Sequence, residues 1–170
     1  RTTEESKPTR AEVRRRVCVS PLISQLDDAD IDRIAAEAEP MRFARGEVII
    51  DGRTSSRDLY ILAEGAARIV VGAPDGATLN IAELATGEVF GVIGTAPTRQ
   101  DRPRVVAVTD CEVVVVNEAV AAEVASRTPE LSTVFNRVVR AWERRIDRML
   151  ESYAATQREE PKLPTEAGAE

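Results

Sequence analysis

The sequence contains no histidine, which removes the side chain that most often acts as a general base or binds a metal near neutral pH. Its two cysteines, Cys18 and Cys111, lie far apart in unlike contexts, so we expect two thiols in a reduced compartment and no disulfide framework. Neither a serine nor a cysteine stands in a nucleophile-elbow motif. We therefore predict that the chain is not an enzyme, with no catalytic residues and no metal site.

Lysine and long apolar runs are also scarce. Lysine occurs only at Lys7 and Lys162, so the basic side chains are nearly all arginine, and the net charge of −6 disfavours a nucleic-acid surface. No apolar run approaches the length that crosses a bilayer, and no signal peptide is visible. We predict a cytoplasmic chain without a nucleic-acid partner, associated with a membrane only through a parent protein.

The 170 residues suit one domain with tails, and the 43% hydrophobic and 31% charged shares are typical of a globular protein. Because both ends are polar, we predict a linker over residues 1–10, a domain over 11–153 and a disordered tail over 154–170. The first residue is Arg1 and not Met, so we expect the C-terminal module of something longer.

A period-two pattern predicts eight short strands separated by turns. They are expected at Met41–Ala44, Glu47–Ile50, Asp58–Leu62, Ala67–Val71, Thr78–Leu84, Glu88–Phe90, Arg104–Thr109 and Glu112–Val116. No helix separates successive strands, which excludes an α/β layout. We predict a mainly β fold, an antiparallel jelly-roll barrel over about 41–117, with flanking helices.

Helical patterns precede and follow the strands. We expect two short helices over Glu12–Leu26, meeting at Ser20-Pro21, and a third over Asp27–Glu39. After the strands, Glu118–Ser126 is predicted as one helix.

A long final helix is predicted to start at Thr128-Pro129 and to end near Tyr153. We expect its first half to pack on the barrel. The second half, from Trp142 on, looks too long to be covered, so we expect residues 129–153 to contact another helix in a homo-oligomer or a parent protein.

The segment Thr86–Ala107 combines a Gly-Glu turn, a Phe-Gly pair and an arginine-bearing loop. Free backbone amides at a glycine-rich turn, with arginines beside them, are what a bound phosphate needs. We predict a binding site for a phosphate or another small anion, formed by Phe90, Gly91, Val92, Ile93, Gly94, Arg102, Arg104 and Val105.

Four motifs occur in register with these predicted elements. They are Phe43-x-x-Gly46-Glu47-x-Ile49-x-x-Gly52, Leu59-Tyr60-Ile61-Leu62-x-x-Gly65-x-x-x-Ile69, Gly87-Glu88-x-Phe90-Gly91, and Val105-x-Ala107-x-x-Asp110-Cys111-Glu112-Val113. Their order and spacing closely resemble the cyclic-nucleotide-binding domain of catabolite activator proteins, cyclic-nucleotide-gated channels and regulatory kinase subunits. The resemblance implies a jelly-roll barrel, a phosphate-binding cassette and a final helix that can move as a lid.

The cassette departs from the family pattern at both anchors. In the family, a Glu after Phe-Gly accepts the ribose 2′-hydroxyl and an Arg pairs with the cyclic phosphate, whereas this chain has Val92 and Asp101 there. Losing two such interactions weakens binding on the order of a thousandfold. Arg102 or Arg104 can replace the missing charge if the loop bulges, and Arg99 is a poorer candidate.

Two classes of function therefore remain open. One is a regulatory sensor with weak, altered or lost cAMP or cGMP binding, or with a different ligand against an apolar wall at Val92. Such a sensor would be the cytosolic C-terminal part of an effector such as a bacterial mechanosensitive-type or other ion channel. The alternative is a ligand-free oligomerisation or protein-docking module.

Overall fold

The structure is a computed structural model that describes residues 7–51, 57–91 and 103–159. In these residues eight antiparallel strands form two four-stranded sheets, which confirms the predicted jelly-roll architecture. The strands are β1 (Glu39–Phe43), β2 (Val48–Ile50), β3 (Leu59–Glu64), β4 (Ala67–Gly72), β5 (Thr78–Leu84), β6 (Val89–Phe90), β7 (Arg104–Ala107) and β8 (Cys111–Val116).

The first sheet has the strand order β1-β8-β3-β6 and the second has the order β2-β7-β4-β5. Strand β1 begins at Glu39, two residues before its predicted start at Met41, and includes Pro40. Proline cannot donate a ladder hydrogen bond, but β1 is an edge strand, so one side of its backbone needs no partner.

Five helices flank the sheets in the described part of the chain. They are α1 (Arg10–Val17), α2 (Pro21–Ser24), α3 (Asp28–Glu37), α4 (Glu118–Arg127) and α5 (Pro129–Glu159). Capping chemistry explains the starts of α1 and α4, since Thr9 forms a capping box with Glu12 and the Asn117 side chain accepts a 2.9 Å hydrogen bond from the Val120 amide. Asp27, which precedes α3, makes no side-chain capping hydrogen bond. Among these residues, no helix combines the length and apolarity that crossing a bilayer requires.

The first four helices form a layer on the first sheet. Apolar side chains of α1, α2, α3 and α4 pack against Leu59, Ile61 and Val114. Ion pairs connect the helices at the surface of this layer. Arg14 of α1 lies 2.8 Å from Asp28 of α3, and Arg127 of α4 lies 2.7 Å from the buried carboxylate of Asp30. Because a buried charge needs a partner, the second pair fixes α4 against α3.

A second apolar cluster fills the space between the two sheets, and α5 completes it. Inward-facing side chains from seven strands meet there, including Leu62, Ile69 and Val105. Ile146 of α5 is fully buried in the same cluster, and Trp142, Met149 and Leu150 pack against it. The N-terminal part of α5 belongs to the helical layer instead. One helix therefore connects both apolar cores.

This packing corrects our expectation for the final helix. The apolar face of its second half, from Trp142 on, packs on the core of the chain itself, because the helix lies along the opening between the sheets. The exposed apolar residue is Val134, in the first half. The helix also continues to Glu159, so residues 154–159, assigned to the tail from their composition, are helical. Contact with another helix in an oligomer or a parent protein stays a prediction.

We expect Ile146→Ala to lower the free energy of unfolding by about 2–5 kcal/mol, because it removes a buried side chain and leaves a cavity. Arg145→Ala changes the exposed neighbouring residue and is the matched control, with an expected change within about 0.5 kcal/mol. Urea denaturation monitored by circular dichroism measures both. Equal effects in the two variants would show that α5 does not close the core.

Candidate functional site

The turn that precedes the predicted cassette is held in place by backbone hydrogen bonds. The Gly87 amide donates to the Leu62 carbonyl at 2.7 Å, and the Leu62 amide donates to the Glu88 carbonyl at 3.0 Å. Gly87 has a φ of +95°, which glycine adopts without strain. A Cβ atom there would lie 2.9 Å from the Val19 carbonyl oxygen. The turn therefore lies directly against the loop between α1 and α2.

Phe90 anchors the start of the cassette in the core. It is fully buried in β6, opposite Tyr60 of β3, and the two rings stack with centroids 5.4 Å apart. Such a stack contributes about 0.5–1.5 kcal/mol beyond area burial. Burial, with a smaller contribution from Asp58, raises the pKa of Tyr60. The strand that leads into the cassette is thus rigidly placed.

Gly91, the first residue after β6, lies close to α5. A Cβ atom at this position would be 3.2 Å from both the Asp58 carbonyl oxygen and the Phe135 Cζ atom. Phe135 is half-buried and packs with the helical layer. The backbone at the cassette entrance and the first half of α5 are therefore neighbours, and the sequence analysis did not identify Phe135 as part of the site.

Four of the predicted site residues, Val92, Ile93, Gly94 and Arg102, lie outside the described residues, as do the altered anchor Asp101 and the candidate Arg99. Their assignment to the cassette stays a prediction.

Strand β7, where the described chain resumes, places two other predicted site residues on opposite faces of the sheet. Val105 is buried in the cluster between the sheets, opposite Ile69 of β4. Arg104 precedes it and lines an open groove on the other face of the sheet. Consecutive residues of a strand point to opposite faces, so the two side chains cannot line one cavity while β7 is regular. The structure brings Phe90 and Val105 into one cluster and places Arg104 outside it.

The interior between the sheets is apolar. Among the described residues, the buried polar or charged side chains are Ser20, Asp30 and Glu112, and none belongs to this cluster. An ionised group placed there without a partner would pay a large desolvation cost. Among the described residues, no buried side chain of this cluster could therefore compensate the charge of a phosphate.

The C-terminal end of α5 is attached to the turn between β4 and β5. The Tyr153 hydroxyl donates a hydrogen bond to the Asp75 carboxylate. Beside this contact is a cleft of about 670 Å³, lined by that turn and by Leu150, Ala154 and Arg158. The hydrogen bond, with a smaller contribution from the Ala77 amide, lowers the pKa of Asp75. This contact fixes the far end of the helix to the second sheet.

Phe135, Ile146 and Tyr153 were not predicted as functional residues. All three lie on the apolar stripe of the long helix, which sequence periodicity detects. Periodicity does not show which part of the stripe contacts the cassette entrance, which part enters the core, and which part contacts the turn between β4 and β5. These three environments depend on the spatial arrangement of the two sheets.

The comparisons with known proteins agree with this geometry. The family model for the cyclic nucleotide-binding domain matches residues 40–128, just over half of the chain. No curated protein matches the chain by sequence.

Several solved structures share its fold. The regulatory subunit of a cAMP-independent protein kinase A from Trypanosoma cruzi, bound to guanosine, is 20% identical, with a TM-score of 0.60 over 74% of this chain and 46% of that one. The regulatory domain of Toxoplasma gondii protein kinase A with cAMP is 16% identical, with a TM-score of 0.60 over 73% and 48%. The Thermus thermophilus catabolite activator protein is 22% identical, with a TM-score of 0.59 over 79% and 63%.

At these identities the likeness shows the fold alone. The chain also spans about half the length of the two kinase regulatory proteins.

We expect Gly91→Ala to destabilise the protein by about 1–3 kcal/mol, because the added methyl group meets a backbone carbonyl and the Phe135 ring. Gly72→Ala is the matched control, since no atom lies within 4 Å of its added methyl group. Combining Gly91→Ala with Phe135→Leu should recover at least about 0.5 kcal/mol in a double-mutant cycle. Strictly additive effects would contradict the contact between the cassette entrance and α5.

We expect Tyr153→Phe to raise the pKa of Asp75 towards its ordinary value of 3.8, because the largest cause of the lowered pKa is removed. A lowered folded-state pKa stabilises the protein above pH 3.8, and that contribution is lost as the pH falls through the folded-state pKa. Carboxyl-carbon NMR titration measures the shift. Tyr60→Phe, which leaves the contact intact, is the control, and an unchanged Asp75 pKa in Tyr153→Phe would disprove the contact.

Proposed function

This chain belongs to the family of cyclic nucleotide-binding domains, and from that membership we propose that it is a non-catalytic regulatory module. A small ligand held at the cassette would change the position of α5, and α5 would pass the change to the rest of a larger effector. A ligand shifts such an equilibrium only by its differential affinity for the two helix positions.

The observation that carries this proposal is the close approach of Gly91 to Phe135, since a Cβ atom at residue 91 would lie 3.2 Å from the Phe135 Cζ atom. An added methyl group at Gly91 would lie closer than ordinary van der Waals distance to the Asp58 backbone and to the Phe135 ring. A ligand that moves residue 91 towards α5 would therefore press on Phe135. Because α5 contributes to both apolar cores, such a displacement would reach the helical layer and the interior together.

For the ligand, we propose a nucleotide or nucleoside bound through contacts other than the two usual family anchors. Val92 offers no acceptor for the ribose hydroxyl, and Asp101 would repel a phosphate. Affinity for cAMP or cGMP would then be weak unless Arg102 supplies the charge. The Trypanosoma cruzi protein, cAMP-independent and bound to guanosine, supports including an uncharged nucleoside among the candidates.

A second candidate is a ligand-free docking or oligomerisation module. Its support is that α5 already closes the interior, with Ile146 fully buried and Trp142 and Leu150 packed beside it. A nucleotide that used this apolar surface would have to displace the helix. In this alternative, α5 is a permanent part of the core and the cassette binds no ligand.

The location and the parent of the module remain proposals. We place it in the cytosol, as one part of a larger effector, for which a mechanosensitive-type ion channel is one candidate. The support is the family membership together with the resemblance of the sequence to the cyclic-nucleotide-binding domain of gated channels and regulatory kinase subunits.

Isothermal titration of the chain with cAMP, cGMP and guanosine tests the proposed function. Trp142, the single tryptophan, lies on α5 against the core, so its fluorescence reports movement of the helix in the same titrations. Restoring the anchors with Val92→Glu and Asp101→Arg should tighten cAMP binding on the order of a hundredfold to ten-thousandfold, because each restored interaction contributes about 1.5–3 kcal/mol.

Two further pairs of variants serve as controls. Val92→Leu with Asp101→Asn removes the repulsion without adding an anchor, so it should gain much less affinity than the restored variant. Arg102→Ala and Arg104→Ala, compared with each other, assign the phosphate partner. If the restored variant gives neither heat nor a change in Trp142 emission up to millimolar cAMP, the sensor proposal fails and the docking module is favoured.

A further inference from the structure

A groove crosses the outer face of the second sheet, on the side opposite the apolar interior. It has a volume of about 450 Å³ and extends from the β1–β2 turn across β2, β7 and β4 to β5. With strands about 4.8 Å apart, it is roughly 14 Å wide. The side chains that line it come from Arg45, Val48, Arg68, Val70, Arg104 and Val106, with Thr78 and Asn80 at the β5 edge.

The strand registers explain why these side chains share one face. Val105 and Ala107 of β7 point into the core, so the alternate residues Arg104 and Val106 point outward. Arg68 is paired with Val106, and Val70 is paired with Arg104, so the outward residues of β4 and β7 alternate between arginine and valine. Val70 is only 5% exposed although it faces outward, which indicates that the aliphatic parts of neighbouring side chains cover it.

The groove carries an excess of positive charge in a chain whose net charge is −6. Arg68 lies 2.7 Å from Glu83, a largely exposed carboxylate on β5. The Asp110 carboxylate accepts a hydrogen bond from the backbone amide of Arg45. Among the described residues, neither the Arg45 nor the Arg104 guanidinium has an ion pair. Two unpaired guanidinium groups on one face make this surface suited to carboxylates.

The groove floor is apolar between the arginines. Val48 is 42% exposed, one of four large hydrophobic residues exposed in the described chain, and Val106 is its partner across the β2–β7 ladder. Isolated anions would use the guanidinium groups and leave this floor in water. A polypeptide that alternates acidic and apolar side chains would use both. A nucleic acid is disfavoured because no aromatic side chain lines the groove and the chain as a whole is acidic.

We propose that the outer face of the β2-β7-β4-β5 sheet is a docking site for an acidic segment of a partner protein. Carboxylates of the segment pair with Arg45 and Arg104, and its apolar side chains cover Val48 and Val106. The width of the groove suits about four residues of extended chain at 3.3 Å each. This site lies on the sheet face opposite the buried Val105, shares only Arg104 with the predicted cassette, and does not rest on nucleotide binding.

Fluorescence anisotropy with a labelled octapeptide of alternating Glu and Val tests the proposal on the whole chain without nucleotide. We expect saturable binding that weakens as ionic strength rises, since the contacts are charged and exposed. Arg45→Gln with Arg104→Gln should weaken binding at least about tenfold. Arg137→Gln with Arg140→Gln, two exposed arginines of α5 outside the groove, is the matched control and should change affinity less than about twofold.

The remaining outcomes each decide against the proposal. No binding up to millimolar peptide would overturn it, and so would equal loss of affinity in the two arginine pairs. Equal binding of an alternating Lys and Val peptide would show that charge is irrelevant. Complete displacement by millimolar inorganic phosphate would show that the site binds anions in general and not an acidic peptide.

Arg45→Gln alone should weaken peptide binding but leave any cAMP titration unchanged, so failure of the docking proposal is distinguishable from failure of the proposed cassette function.

Discussion

The structure depends on the burial of one face of a single helix. Two four-stranded sheets enclose an apolar cluster that they do not close by themselves, and Ile146, Trp142 and Leu150 of α5 cover the opening. Full burial of a side chain such as Ile146 contributes about 1.5–3 kcal/mol, a large share of the net stability of a domain. Since the N-terminal part of the same helix packs in the helical layer, α5 connects the two sheets to α1–α4.

This constraint limits how a ligand can act. The cluster between the sheets has no described polar side chain that could compensate a charged ligand, and α5 lies over the same apolar surface. A bound base or sugar would have to share that surface with the helix. Under the proposed function, affinity and helix position would therefore be linked, because a ligand shifts an equilibrium by its differential affinity for the two states.

Much of this architecture could be predicted from the sequence, because it follows from local rules. Alternating strands, turn glycines such as Gly87, and caps such as Asn117 act over a few residues. The buried half of α5 could not be predicted this way. A helical stripe shows which residues share a face, but covering the opening depends on how far apart the two sheets lie. Arg104 illustrates the same limit, since a one-residue difference in register decides whether it faces the interior or the solvent.

The turn at Gly87 has a mechanical consequence. Its backbone is so close to the Val19 carbonyl that even a methyl group would collide there, while its amide is bonded to β3. Close packing on one side and a hydrogen bond on the other restrict independent movement of the segment before the cassette. A shift of this turn towards Val19 would therefore press on the loop that joins the first two helices.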